Sequence, residues 1–304
     1  MSNFIRTQAL LFKSQFLSAT REQSAFIIKR LCSTSSNVPE FENLDISTPQ
    51  PYVYHVRLNR PERRNAFTVP FWKELHRAFD WLSTNPKCRA IVLSGAGKSF
   101  CAGLDLKDGV TGLMSIMQDE SLDTARKAIR MRQLITTCQD SFTSLERCTK
   151  PVIASIHGHC IGAGINLIAC ADIRYASEDS VFSIREVDIG IAADVGILNR
   201  INKLVGNDSL TRELAYTARD MCCSEALEFA DCLEASIRLA GEIASKSPIA
   251  VQGTKVTLNY ARDHTVDDSI NFIRTWNQSQ LQSNDLIKAA MARMSKEIAE
   301  FDDV

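Results

Sequence analysis

The 304-residue chain predicts an α/β fold followed by a helical C-terminal region. Three observations carry that expectation. Short β-branched runs alternate with helix-period segments up to about residue 194, small-residue turns close two of the strands, and nearly everything from there to about Phe301 has helical character. Tyr52-Val-Tyr-His-Val-Arg-Leu58 alternates and reads as a strand, broken by Asn59-Arg-Pro61. Thr68 stands where a helix cap belongs, and Phe71, Trp72, Leu75, Ala78, Phe79 and Leu82 recur at helical spacing through about Ser83. Ala90-Ile-Val-Leu93 is a buried strand that stops at Gly95-Ala-Gly97. Residues 108–120 read as an irregular, lid-like loop. A long helix then covers about residues 121–145, with Met131, Leu134, Ile135, Cys138, Phe142 and Leu145 on its apolar face. Pro151-Val-Ile-Ala-Ser-Ile156 is another strand, running into the glycine-rich turn Gly158–Gly164. A short helix, Ile165–Ala171, and a strand, Ile173-Arg-Tyr-Ala176, complete the alternation.

Composition narrows the partners. With 35 Lys and Arg against 36 Asp and Glu, the formal charge is −1, which gives no electrostatic case for nucleic acid. No apolar run reaches the roughly 18 residues of a membrane span. The ten cysteines form no CxxC pair and fit reduced buried thiols better than zinc ligands or a disulfide framework. Residues 1–36 differ from the rest. Arg6, Lys13, Arg21, Lys29 and Arg30 are spaced through Ser, Thr and apolar residues, Glu22 is the single acid, and Phe12, Phe16 and Leu17 could line one helix face. This reads as a mitochondrial transit peptide, cut near Leu31 or Cys32, with a disordered tail as the alternative. Residues 37–50 read as an acidic linker, and Phe301-Asp-Asp-Val304 is not a Ser-Lys-Leu peroxisomal address.

Chemistry can sit in three places. Ser99-Phe-Cys-Ala-Gly-Leu-Asp-Leu106 and Gly158-His-Cys-Ile-Gly-Ala-Gly164 both follow strands, and their small residues let backbone approach a ligand. Two amides converging on one oxygen would form an oxyanion hole; ordinary turn glycines are the competing reading. Neither a Walker nor a dinucleotide spacing is present, because Gly162 and Gly164 lie too near Gly158, and no Gly-x-Ser-x-Gly elbow occurs. His157 and His159 are read as structural. The third place is Phe182 to Gly196, where Glu186, Asp188 and Asp194 enter an apolar, Gly/Ala-rich stretch and two of them are expected to turn inward. Paired carboxyls with separately tuned proton affinities suit a proton shuttle. Solvated loop acids, with Asp194 capping the next helix, are the alternative.

Phe100-Cys-Ala-Gly-Leu-Asp-Leu-Lys107, Lys150-Pro-Val-Ile-Ala-Ser-Ile-His-Gly-His-Cys-Ile-Gly-Ala-Gly164 and Ala171-Asp-Ile-Arg-Tyr175 together resemble the enoyl-CoA hydratase/isomerase (crotonase) superfamily. Arg185-Glu-Val-Asp-Ile-Gly-Ile-Ala-Ala-Asp-Val-Gly196 resembles its dienoyl-CoA isomerase branch, as do Lys246-Ser-Pro248 and Trp276-Asn277. The resemblance runs from about Tyr52 to the C-terminus. It implies a crotonase-like spiral of ββα units over residues 51–206 and a helical trimerisation region over 207–304. It further implies an acyl-CoA substrate, a homotrimer or homohexamer and no cofactor or metal, while the N-terminal segment is what points to the mitochondrial matrix. Matched residue by residue, the oxyanion donors fall on the amides of Leu104 and Ala163; Ala102, Gly103, Leu104, Asp105 and Leu106 would line the acyl-CoA channel, and Asn65-Ala66 would approach the CoA nucleotide and pantetheine.

The implied reaction is isomerisation of 3,5-dienoyl-CoA to 2,4-dienoyl-CoA, with Asp194 taking the C2 proton and protonated Glu186 giving one to C6. Two departures stand out. Asn166 occupies the position where the branch generally has a third acid and hydratases a catalytic Glu, which disfavours hydratase chemistry and removes a negative neighbour from Glu186. Ser224-Glu-Ala-Leu-Glu-Phe-Ala-Asp-Cys-Leu233 is shorter than the family pattern by roughly ten residues, a departure that bears on how core and trimerising helices pack. A Δ3-Δ2-enoyl-CoA isomerase and a catalytically silent acyl-CoA-binding homologue remain the alternatives.

Overall fold

A computed structural model of the chain describes residues 38–108, 111–189, 191–226, 232–295 and 297–304. The segment read as a transit peptide and residues 227–231 of the shortened stretch lie outside the described residues. Phe41–Val304 forms one compact unit.

A five-stranded sheet is built from β1 (Leu44–Gln50), β2 (Val53–Leu58), β3 (Ala90–Gly95), β4 (Val152–Ile156) and β6 (Ile173–Ala176), in the spatial order β1-β2-β3-β4-β6. The β1–β2 pair is antiparallel and the others parallel. Residues 44–50, expected to be linker, are therefore an edge strand. Every residue of β4 and five of six in β3 are buried, as strands covered on both faces must be. Alternation sorts their side chains: Tyr54, Val56, Ile91 and Leu93 face one core, and Val53, Ala90, Val92 and Ile153 face another.

The first core is covered by α1 (Val69–Thr84) and α3 (Thr124–Arg147), which bring Leu75, Phe79, Phe142 and Leu145 onto the sheet. Thr68 does occupy the cap position of α1, but its hydroxyl makes no capping bond. Asp123 caps α3 by accepting from the Arg126 amide at 2.8 Å. Between β3 and α3 the expected irregular lid contains a helix, α2 (Thr111–Gln118). The second core is closed by α8 (Cys232–Ala244), through Ala240 and Ala244.

A small second sheet carries the turns of interest. It consists of β5 (His159–Ile161), β7 (Val181–Ser183) and β8 (Met221–Cys222), in that order, with α4 (Ala163–Ala169) leaving directly from β5. The strand β8 interrupts the expected all-helical stretch, which otherwise comprises α5 (Ile197–Val205), α6 (Asp208–Thr217), α7 (Cys223–Ala226), α8, α9 (Pro248–Tyr260), α10 (Val266–Gln280) and α11 (Asn284–Ser295). Lys255 of α9 is buried, with Nζ donating to Leu145 O at 3.0 Å and Lys150 O at 2.9 Å and pairing with Asp172 at 2.7 Å. It caps the end of α3 and ties it to the entry of β4. Ser247 and Pro248, at the head of α9, act as a cap and first helical residue, with Ser247 Oγ accepting from the Ala250 amide at 3.2 Å.

Candidate functional site

The turn after β3 is threaded between two neighbours. Phe67 N–H donates to Gly103 O at 2.8 Å and Asp105 N–H to Phe67 O at 2.9 Å, so Leu104 sits in a parallel bridge with its own amide directed away from Phe67. Phe67 is itself fixed by stacking on Phe71, centroids 4.4 Å apart, and by an edge contact with Phe142 at 5.2 Å. On the other side Cys101 bridges Cys160 of β5. A β-carbon at Gly103 would stand 3.1 Å from Ile161 O and 3.8 Å from Ala163 N, at a φ of +97° that favours glycine. The Leu104 turn and the start of α4 are thus adjacent. Ala163 is the first residue of α4, where an amide has no intrahelical acceptor. Both predicted donors are therefore brought together.

Cys101 and Cys160 are fully buried, and burial pushes the Cys101 thiol up to about 12 and Cys160 upward as well. They pack under the turn as inert side chains. Asp105 is buried too and acts within its own loop, accepting from the amides of Lys107 at 3.0 Å and Asp108 at 3.2 Å. Burial raises its carboxyl, but those amides together with Arg60 and Arg63 outweigh it and leave it below the ordinary range. Leu106, by contrast, is exposed.

Asn65 differs from its expected role at the CoA moiety. Its Nδ2 donates to Ala96 O and Ser99 O at 2.9 Å and to Phe100 O at 3.2 Å, while Oδ1 accepts from the Arg60 amide at 2.9 Å. The side chain is fully buried and spent on joining the 60–66 turn to the 96–100 loop, leaving it no polar atom for a ligand. Ala66 is likewise buried, with its carbonyl accepting from Arg60 Nη1 at 2.6 Å. His157 accepts its structural reading, with Nε2 3.0 Å from Gly97 O.

Of the three acids, one turns inward rather than two. Glu186 opens a single turn, Glu186–Ile189, just past β7, and is 8% exposed, whereas Asp188 and Asp194 are exposed. The bond from Gly162 N–H to Ser183 O at 2.9 Å registers β5 against β7 and delivers Glu186 beside Gly162. A β-carbon there would lie 3.8 Å from Glu186 Oε1, so the carboxyl stands next to the residue that precedes Ala163. Glu186 Oε1 accepts from Asn166 Nδ2 at 3.0 Å, and Oε2 is buried without a partner among the described residues. Burial pushes the Glu186 carboxyl above the ordinary range; a backbone bond and the Asn166 bond oppose the rise, and the charge of Asp194 adds to it.

Asp194 is positioned by backbone. Gln139 of α3 donates through Nε2 to Asp194 O at 2.6 Å, and Gly196, at φ +114°, turns the chain into α5. Arg200 of α5 then pairs with Glu146 of α3 at 2.7 Å, and Arg262 joins the same carboxylate at 2.6 Å. Asn166 lies between the acids, 1% exposed, donating also to Gly162 O at 3.0 Å and accepting from Ile197 N–H at 2.8 Å. Gln139 carried no signal in the sequence, since a glutamine beside the apolar stripe of a helix reads as an ordinary exposed polar residue. Asn166 did, though as a missing acid and not as a donor.

The chemistry such an arrangement can perform is proton transfer beside a carbonyl: two neighbouring turn amides for a developing oxyanion, a buried acid, and a second carboxylate exposed to water.

The sequence pattern of the family described as enoyl-CoA hydratase/isomerase matches residues 49–303. The chain is 47% identical over 278 residues to the mitochondrial Delta(3,5)-Delta(2,4)-dienoyl-CoA isomerase of Rattus norvegicus, spanning 86% of this chain and 84% of that protein. It is 40% identical over 254 residues to the peroxisomal enzyme of the same name from Arabidopsis thaliana, spanning 80% of this chain and 90% of that one. The crystal structure of an enoyl-CoA hydratase from Bacillus anthracis shares the fold, with a TM-score of 0.75 at 24% identity, covering 86% of this chain and 99% of that one.

Proposed function

The chain belongs to the enoyl-CoA hydratase/isomerase family, and from that premise we propose that it isomerises 3,5-dienoyl-CoA to 2,4-dienoyl-CoA in the oxidation of unsaturated fatty acids. The observation that carries the reading is the buried Glu186 carboxyl, held toward its protonated form beside a second, exposed acid. The thioester oxygen accepts from the Leu104 and Ala163 amides, which acidifies the C2 proton. Asp194, as carboxylate, takes that proton. The electron pair moves through a conjugated dienolate, forming C2=C3 and C4=C5 as C3=C4 and C5=C6 are lost. Glu186 gives its proton to C6. Charge and atoms balance, and the two acids exchange protonation states. An oxyanion donor of this kind is worth roughly 3–4 kcal/mol of transition-state stabilisation. Asn166, being neutral and already bonded on three sides, offers no second base for activating a water.

Names of relatives support the substrate, and the naming of several of them as mitochondrial supports a mitochondrial location here; a place in the matrix belongs to the same proposal. The assembly belongs to the same proposal: a homotrimer or homohexamer through α9–α11, where Leu258, Leu281, Leu286, Ile287 and Met291 are exposed. Among the described residues no helix is long and apolar enough to cross a membrane.

The test is an ultraviolet assay on the purified protein with 3,5-dienoyl-CoA, 3-enoyl-CoA and 2-enoyl-CoA. Formation of the 2,4-dienoyl chromophore, with little hydration of 2-enoyl-CoA, is expected. Binding of acyl-CoA without turnover, or preference for the 3-enoyl substrate, would overturn the assignment. Light scattering tests the assembly, and a stable active monomer would count against it.

A further inference from the structure

Asn166 touches both acid-bearing segments. Its Nδ2 donates to Gly162 O and Glu186 Oε1, each at 3.0 Å, and its Oδ1 accepts from Ile197 N–H at 2.8 Å. The amide orientation is forced, because the reverse would set an oxygen against two acceptors and an NH2 group against an N–H. Glu186 Oε1 is therefore occupied as an acceptor, and Oε2 is the buried oxygen without a partner. Ile197 opens α5 three residues past Asp194.

We infer that Asn166 is a positioning residue for the proton transfer: it makes Oε2 the proton-bearing oxygen of Glu186 and ties the Glu186 turn to the start of the helix behind Asp194. The inference rests on the two-acid reading above. Asp194 is the charged side chain that acts on Glu186, and none from α4, α5 or α6 does so among the described residues.

Substitutions separate the two functions of the amide. An aspartate at this position keeps the bond from Ile197 but offers Glu186 a donor only while it is itself protonated. Once ionised, it faces Gly162 O and Glu186 Oε1 with no proton between, and draws the Glu186 proton from Oε2 to Oε1. A leucine removes both bonds.

The direct measurement is a carbon-13 NMR titration of carboxyl-labelled glutamate, with the Glu186 signal assigned by its loss in Glu186→Gln. In Asn166→Leu the Glu186 midpoint should rise by about 1 pH unit, because a donor to the ionised form is gone. The upper-pH limb of kcat should rise with it, while plateau kcat falls by about 10-fold to 100-fold from misplacement of the acids. In Asn166→Asp the Glu186 midpoint should rise as well, because an ionised neighbour of like charge replaces the donor. A folded Asn166→Leu with an unmoved midpoint would overturn the inference. So would an Asn166→Asp protein whose Glu186 midpoint does not move, and this variant decides the matter should the leucine variant fail to fold. A parent protein that titrates as described but turns over no dienoyl-CoA overturns the proposed function alone.

Discussion

Glu186→Gln should make this protein slower and more stable at once, and the second effect should depend on pH. The glutamine keeps the Asn166 bond to its carbonyl oxygen and loses the transferable proton, so kcat should fall by about 10²-fold to 10⁴-fold, the usual worth of a general acid. The stability argument starts from Oε2, a buried acceptor without a partner. Burial raises the Glu186 carboxyl above its unfolded value. Its contribution to stability is then fully present below the unfolded value, near pH 4.3, and is lost as pH rises through the folded value. A glutamine does not titrate and escapes that loss. An unsatisfied buried group costs about 1–3 kcal/mol, and the new NH2 group, itself unpaired at the same place, gives back part of the gain. A net advantage of about 1 kcal/mol at pH 8 follows, or about 2–4 °C in Tm for a chain of this size, shrinking toward zero near pH 4–5. Thermal melts of both proteins across that range, with the dienoyl-CoA assay run in parallel, measure it. A Tm difference that stays constant with pH, or a variant with parental kcat, would refute the reasoning.

Gly103→Ala should lower kcat by about 100-fold with little change in KM, since its β-carbon would press on Ile161 O at 3.1 Å and part the Leu104 amide from Ala163; unaltered kcat would argue that the two amides do not act together. Lys255→Met should cost about 3 kcal/mol in chemical denaturation, because it strips the end of α3 of its cap and removes the cation from Asp172, which keeps its bond from the Val152 amide. A loss under 1 kcal/mol would mean that water replaces the ammonium.

Much of the architecture could be read from residue pattern, for identifiable reasons. The strands β2, β3 and β4 carry either clean alternation or an unbroken apolar run, and α1 repeats its buried residues at helical spacing, so burial itself wrote their signature. Strand β1 escaped because it is an edge: its middle residues are exposed and polar, and its pairing with β2 is backbone work that leaves no mark on side chains. The strands β5 and β7 are three residues each, too short for any period to register. At the site, Glu186 was visible as an acid in an apolar stretch, whereas Leu104 and Ala163 were picked out of two small-residue turns only by the family resemblance. The burial of Glu186 and exposure of Asp194 were not visible, because both sit in one apolar stretch and only the β5–β7 register decides which faces inward. Asn65 was misassigned for a related reason, since an asparagine that serves three carbonyls cannot be told by sequence from one that serves a ligand.

The unequal exposure of the two acids fixes the fate of hydrogen isotopes. Each catalytic cycle on the proposed roles leaves Asp194 holding what came from C2 and Glu186 stripped, so both must be reset before another substrate is processed. Asp194 opens to water and can release its captured nucleus there, while Glu186, sealed beside Asn166, must be recharged from solvent through the vacated pocket. Turnover in deuterium oxide should therefore yield product labelled at C6 with solvent deuterium, and the hydrogen lost from C2 should be found in the bulk rather than at the far end of the diene.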